Sequence, residues 1–206
     1  MLEVVKIEDL QKVRDDLFKF VWNFKHGDNI EYNFQILAAL YKAKNDSHAP
    51  NILNKPITIS IVSIIEAVLI DFLTRINEAT NHLPNNISQD RLDKMKQEIE
   101  KQKKPFKVDS EIGERIYLRR KMYNFSDIVK VFRKYEILGV NYDPLYDQLL
   151  KFGDLRNRVH IENYHGNFED RENEVFTSQR LTELEKIMDA LWSKMTAEFR
   201  RPWSEA

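Results

Sequence analysis

Apolar residues recur at three- and four-residue spacing along most of the chain, the pattern of helices that bury one face. Ile7, Leu10, Val13, Leu17, Phe20, Val21 and Phe24 predict a first helix over 7–25. His26-Gly27-Asp28-Asn29 reads as its stop and as the cap of a second helix over 30–44, which carries Phe34, Leu37, Ala38 and Tyr41. Residues 45–54 form a polar connector containing Pro50. Pro56 then opens a third helix, at a position where a missing N–H costs little. Nearly every residue from Ile57 to Leu73 is apolar, which marks this helix as central and buried. Its β-branched start (Ile57, Thr58, Ile59, Ile61, Val62) would also suit a buried strand, but its length favours a helix running to Asn77.

The character changes over 78–125, which reads as a polar insertion or mobile lobe. Within it, Ser88 starts a short helix ending before Pro105, with Leu92, Met95 and Ile99 as a thin apolar stripe. Ser126 is expected to cap a helix reaching Leu138, with Gly139 ending it. Asp143 and Pro144 start the next helix, which extends to His160 or Ile161. Residues 163–167 suggest a turn and 168–174 an acidic connector. The last helix, 178–200, has Leu181, Leu184, Met188, Leu191, Met195 and Phe199 in a 3-4-3-4 seam, suited to core packing or to a dimer interface. The expected architecture is therefore all-α, an up-and-down bundle of six or seven helices in a single domain over 1–206.

Composition supports this and narrows the chemistry. Five glycines in 206 residues leave little for hairpins, bulges or a phosphate-cradling glycine loop. The absence of cysteine excludes a disulfide scaffold, a thiol nucleophile and a thiolate zinc site. Met1–Lys6 has neither the basic flank nor the apolar run of a signal peptide. The stretch Ile57–Ile70 contains Glu66 and is shorter than the ~20 residues of a membrane span, so a cytoplasmic protein without membrane attachment is expected. With 32 basic and 33 acidic residues, no global field draws the chain to nucleic acid. Locally the balance differs. Residues 91–121 hold 11 Lys/Arg against 6 Asp/Glu, whereas 162–174 hold five acids and one base. The basic runs 101–107 and 119–121, interleaved with Phe106, Tyr117 and Tyr123, could hold an RNA backbone or be a solvated face.

One segment breaks the apolar pattern. On a helical wheel with Leu145 at zero, Leu149, Phe152, Leu155 and Val159 fall in one arc from about -80° to +40°. Arg156 lies near about +20° and His160 near about +60°, so a cation and an imidazole occupy or flank the face that should be buried. An unpaired buried charge is costly. The pair must therefore have partners, line a cleft or face another subunit. Chemically, a histidine can move a proton and an arginine can hold a phosphate. The competing reading is a structural network at a helix C-terminus, where cations are favoured. Glu66 is expected to be a buried carboxylate, either satisfied by a partner such as Arg156 or part of the site. His165 follows His160, but no third ligand lies nearby, so no metal is expected. His26, His48 and His82 read as lone loop histidines.

Arg156-Asn157 followed by His160, near the end of a late helix, resembles the signature of the HEPN (higher eukaryotes and prokaryotes nucleotide-binding) superfamily. The long apolar helix bearing Ser63 and Glu66 is similar to the central helix of those domains. The gap of three residues, Asn157, Arg158 and Val159, is shorter than the family's usual four to six. The resemblance implies a HEPN-like fold and a two-fold homodimer, with the two motif helices facing across a shared cleft. It implies an RNA-directed protein, a metal-independent endoribonuclease of toxin or defence type, needing no cofactor. His160 would then be general base or acid, Arg156 would bind the scissile phosphate, and Asn157 would hold the motif or contact the ribose. Glu66, Asn163 and Tyr164 would bind or support. The expected partners are RNA or nucleotide, a second copy and an antitoxin-type protein. The alternative is a non-catalytic HEPN-like module binding nucleotide, RNA or a protein through the same cleft.

Overall fold

A computed structural model describes residues 12, 14–15, 24–78, 88–101, 103–108, 115–120, 124–139, 143–156 and 172–198. Among them are seven helices: α1 (Phe24–Asp46), α2 (Asn54–Glu78), α3 (Gln89–Lys101), α4 (Phe125–Lys134), α5 (Asp143–Arg156), α6 (Glu172–Val175) and α7 (Ser178–Glu198). A 3-10 turn, Pro50–Leu53, leads directly into α2. The body is all-helical, as expected. The exception is a two-stranded antiparallel hairpin in the polar insertion, β1 (Lys103–Val108) and β2 (Arg115–Arg120).

Helix α2 is the centre. Ile57, Ile61, Val62, Ile64, Ile65, Val68, Leu69 and Phe72 are all buried, an arc of about 160° on the helical wheel. It packs against α1, α3, α4, α5 and α7. The choice of helix over strand is settled by this enclosure from several sides. Its first turn includes Pro56, where no intrahelical partner is needed for a backbone N–H. By length and composition alone, Pro50–Leu73 is apolar enough to cross a membrane, contrary to the expectation that this stretch is too short. With 67% of its qualifying window buried inside the fold, it has the profile of a core helix.

The remaining helices each give one stripe to the same core. From α1 come Ile30, Phe34, Leu37 and Tyr41, and from α5 come Leu145, Tyr146, Leu149, Phe152 and Leu155. From α7 come Leu181, Leu184, Ile187, Met188, Leu191, Trp192 and Met195. The seam is thus buried within the chain from Leu181 to Met195, and Phe199 lies outside the described residues. Phe72 and Phe132 meet with ring centroids 5.7 Å apart at 50°, joining α2 to α4.

Several boundaries differ from the sequence reading. Helix α1 runs through Gly27, Asp28 and Asn29, whose residue types predict a stop, and His26 lies in it rather than in a loop. One glycine costs a helix only ~1 kcal/mol, and no left-handed backbone occurs there. The cap of α4 is Asn124, whose side chain accepts from the Asp127 N–H at 2.8 Å, not Ser126. Both residue types can cap, and the cap two positions upstream allows Phe125 to be buried. Helix α4 also ends at Lys134, four residues before Leu138. The chain then turns through Glu136 (φ 49°) to Gly139 (φ 102°), in the left-handed region that suits glycine.

The insertion is partly docked. Leu92 and Met95 of α3 are buried in the common core. Arg91 pairs with Glu136 at 2.9 Å, and Glu98 accepts from Lys134, so α3 is tied to the end of α4. Nor is the acidic connector polar to its end. It becomes the short helix α6, and Val175 and Phe176 enter the core.

Candidate functional site

The candidate site belongs to the end of the helix that begins at Asp143. The predicted apolar arc of that helix, α5, is the buried one: Leu145, Leu149, Phe152 and Leu155 are each at most 9% exposed. The Tyr146 hydroxyl donates to the Phe132 carbonyl at 3.2 Å and accepts from the Leu138 N–H at 3.0 Å. It therefore fastens α5 to the turn that follows α4. Arg133 and Asp147 add an exposed ion pair at 2.7 Å across the same two helices.

A glycine at position 153, one turn before Arg156, suggests the close approach of another backbone. The structure puts an aromatic ring there instead. A Cβ on Gly153 would lie 2.4 Å from Cδ1 and 2.9 Å from Cε1 of Phe125. Real carbon atoms do not approach so closely, so the missing side chain is what lets the first residue of α4 pack flat on α5. Helix α5 is described as far as Arg156, so its expected extension to His160 or Ile161 lies outside the described residues. Asn157, His160, Asn163 and Tyr164 lie outside the described residues.

Glu66 is buried, at 9% exposed, on the helix that packs against α5. The sequence reading anticipated this burial. It missed a second carboxylate on α2, Asp71, which is only 2% exposed. Asp71 lies seven residues after Ile64 and three after Val68, both buried, so the helical wheel places it on the buried face. No group of three or more histidines and carboxylates suited to a metal occurs among the described residues.

Sequence reasoning also missed a polar cluster where α1, α2 and α7 meet. Tyr41, read as plain core, donates its hydroxyl to Glu185 of α7. Lys44 donates to Asn54 Oδ1 at 2.7 Å, and Asn54 donates to the Phe176 carbonyl at 2.9 Å and to Ser178 Oγ at 3.3 Å. Ser178 in turn donates to Asn51 Oδ1 at 2.9 Å. Asn54 is fully buried and Tyr41 nearly so. Burial drives the titration of this cluster. It raises the Tyr41 hydroxyl well above the usual tyrosine range, and the charge and hydrogen bond of Glu185 add to that. It raises Glu185 above the usual carboxylate range, opposed by the Tyr41 hydrogen bond and the charge of Lys44. It lowers Lys44, opposed by Glu185. A tyrosine kept protonated is a donor, not a base. The cluster therefore joins three helices through satisfied polar groups and has the chemistry of a structural node. The one clue in the sequence was the tyrosine itself, since a buried hydroxyl requires a partner.

Comparison with protein-family models, with curated proteins and with solved structures gave no match.

Proposed function

We propose that this chain is a HEPN-like RNA-directed protein whose working residues begin at Arg156, and that it is a metal-independent endoribonuclease of toxin or defence type. The observation that carries this reading is the burial of the α5 arc up to Leu155, directly followed by Arg156. If the helical phase continues, Arg156 and His160 recur on the arc that leucines and a phenylalanine fill for three turns. A cation and an imidazole in that phase require a counterpart, and a phosphate between two copies supplies it.

In this mechanism the guanidinium of Arg156 binds the scissile phosphate and offsets the charge that develops on it. His160 removes the proton from the ribose 2′-hydroxyl, and the oxygen attacks the adjacent phosphorus as the 5′-oxygen leaves. Asn157 orients the motif, and Asn163 and Tyr164 contact the RNA. The buried Glu66 supports the motif helix from α2. Two copies supply the shared cleft, and an antitoxin-type partner covers it. The setting is cytoplasmic.

A second reading is favoured by the short Arg156–His160 gap: a HEPN-like module that binds nucleotide, RNA or a protein partner through the same cleft without cutting. Purified full-length protein separates the two. Incubated with RNA in chelator, wild type should produce cleavage products, and Arg156→Ala and His160→Ala should not while melting like wild type. Absence of products from all three, with weaker RNA binding by Arg156→Ala, would select the binding module. Equal cleavage by all three would remove the Arg156–His160 pair from the mechanism.

A further inference from the structure

We infer that the β1–β2 hairpin is a second, separate contact for the substrate class proposed above: an arm that holds single-stranded RNA by its phosphates and bases. The inference rests on the RNA-directed reading only for the choice of RNA. Its physical basis is the strand register.

In the sequence, the basic runs 101–107 and 119–121 are separate. The hairpin joins them. The antiparallel register sets Lys103 opposite Arg120 and Lys104 opposite Arg119, which places four cations on two successive rungs. Two rungs further along, Phe106 stands opposite Tyr117, and Lys107 and Arg115 occupy the last two rungs opposite Ile116 and Val108. The strands thus carry six cations and no acid. Like charges directly opposite one another weaken a strand pair. A two-stranded ribbon is also only marginally stable by itself. Successive rungs belong to opposite faces of the ribbon, so Lys104 and Arg119 share a face with Phe106 and Tyr117, and a polyanion along that face would relieve the repulsion between Lys104 and Arg119.

The distribution of charge gives the arm a direction. Rungs 103/120 and 104/119 are at the base of the hairpin, two residues beyond the end of α3 at Lys101. The six residues between the strands include Asp109, Glu111 and Glu114. A polyanion would therefore favour the rungs nearest in sequence to α3 over the strand ends that adjoin the acidic residues 109–114. The aromatic rung near the cations selects the type of polyanion. A groove of cations tracking a backbone, with aromatic residues for successive bases, is the recognition pattern for single strands. A lipid headgroup would use the cations and leave the aromatic rung without a role.

The test is fluorescence anisotropy of full-length protein with a short, labelled 2′-O-methyl oligouridylate, which resists cleavage, in chelator. Wild type should bind with a steep salt dependence. Lys104→Gln/Arg119→Gln should bind about tenfold more weakly and lower the log–log salt slope by about 1.4, since each cation that neutralises a phosphate of a single strand contributes ~0.7. Phe106→Ala/Tyr117→Ala should bind about tenfold more weakly with the slope unchanged. The charge-conserving Lys104→Arg/Arg119→Lys should bind like wild type. If the glutamine variant binds like wild type, or the charge-conserving variant is weakened as much as it is, the arm is refuted. Binding to anionic phospholipid vesicles without binding to the oligonucleotide would also refute it, and equal binding of the matched DNA would refute the choice of RNA. The slope change in the glutamine variant reads the arm and the loss of cleavage in His160→Ala reads the catalytic pair, so failure of the arm and failure of the pair give different results.

Discussion

Two places where polar residues interrupt an apolar pattern invite comparison. At the junction of α1, α2 and α7, Tyr41, Lys44, Asn54 and Glu185 each meet a named partner within the chain. Directly after Leu155 of the buried α5 arc, the sequence brings polar residues together, Arg156, Asn157 and His160. The first place joins helices that are distant in sequence. The second is a run within one segment. A buried polar group with partners supplied by other helices has been assigned a structural job, because the fold has already met its hydrogen-bonding demand. The second place is a local sequence run in phase with a buried arc, and the proposed function gives it an RNA phosphate as its counterpart. That contrast separates the two sites even though both look anomalous on a helical wheel.

Substitutions should divide the two places by what they change. On the proposed mechanism, the largest effect is at the α5 end. His160→Ala should lower RNA cleavage by about 10²- to 10⁴-fold, the usual worth of a general base, with a melting temperature near that of wild type. A comparable loss of stability without loss of specific activity would make the α5 end a structural node as well. At the other place, Asn54→Leu should destabilise by ~1–3 kcal/mol in denaturant unfolding, since it strands the buried Phe176 carbonyl, and should leave cleavage per folded molecule unchanged.

Gly153→Ala sharpens the comparison, since it reaches the α5 end through packing alone. The new methyl collides with the Phe125 ring, and a cost of ~1–3 kcal/mol is expected. The double variant Gly153→Ala/Phe125→Ala should cost less than the two single changes combined, because it removes the clash. Additive costs would mean that the glycine serves some other contact.

A smaller effect is expected from pH. Glu185 has its folded pKa raised above the unfolded one, chiefly by burial. The folded state therefore holds that proton more tightly, and stability falls as pH rises from the ordinary carboxylate range through the raised folded pKa. Glu185→Gln should flatten this decline in urea unfolding across mildly acidic pH. An unchanged slope would mean that Glu185 does not titrate with folding. The least effect should come from Asp147→Ala, which removes an exposed pair with Arg133 and should change stability by less than ~1 kcal/mol. A larger loss would show that the α4–α5 contact depends on charge as well as on Tyr146 and Phe125.

What the sequence made legible follows from the range of the forces involved. The central helix, the α7 seam and the α5 arc were readable because each repeats a local period over several turns. Asn54 was not, because its partners Phe176 and Ser178 are 122 and 124 residues away, and Tyr41 meets Glu185 144 residues away. The hairpin was hidden for a different reason. Lysines and arginines at both alternating positions blur the period of two, Pro105 lies within β1, and no two-residue turn joins the strands. Gly27 misled because glycine, aspartate and asparagine in succession usually punctuate a chain, whereas here helix α1 continues through them. Of the candidate site, Glu66 was correctly read as buried, and Asp71 was legible too, in phase with Ile57, Ile64 and Val68, but was passed over at the end of the apolar run.

The central claim is that Arg156 and His160 direct metal-independent attack by the ribose 2′-hydroxyl. The chemistry of the product ends tests it most directly. RNA incubated with wild-type protein in chelator should end in 2′,3′-cyclic phosphates, with 5′-hydroxyls on the downstream fragments, and neither end should form with Arg156→Ala or His160→Ala. Fragments bearing 5′-phosphates, or the same cyclic ends from both variants, would contradict it.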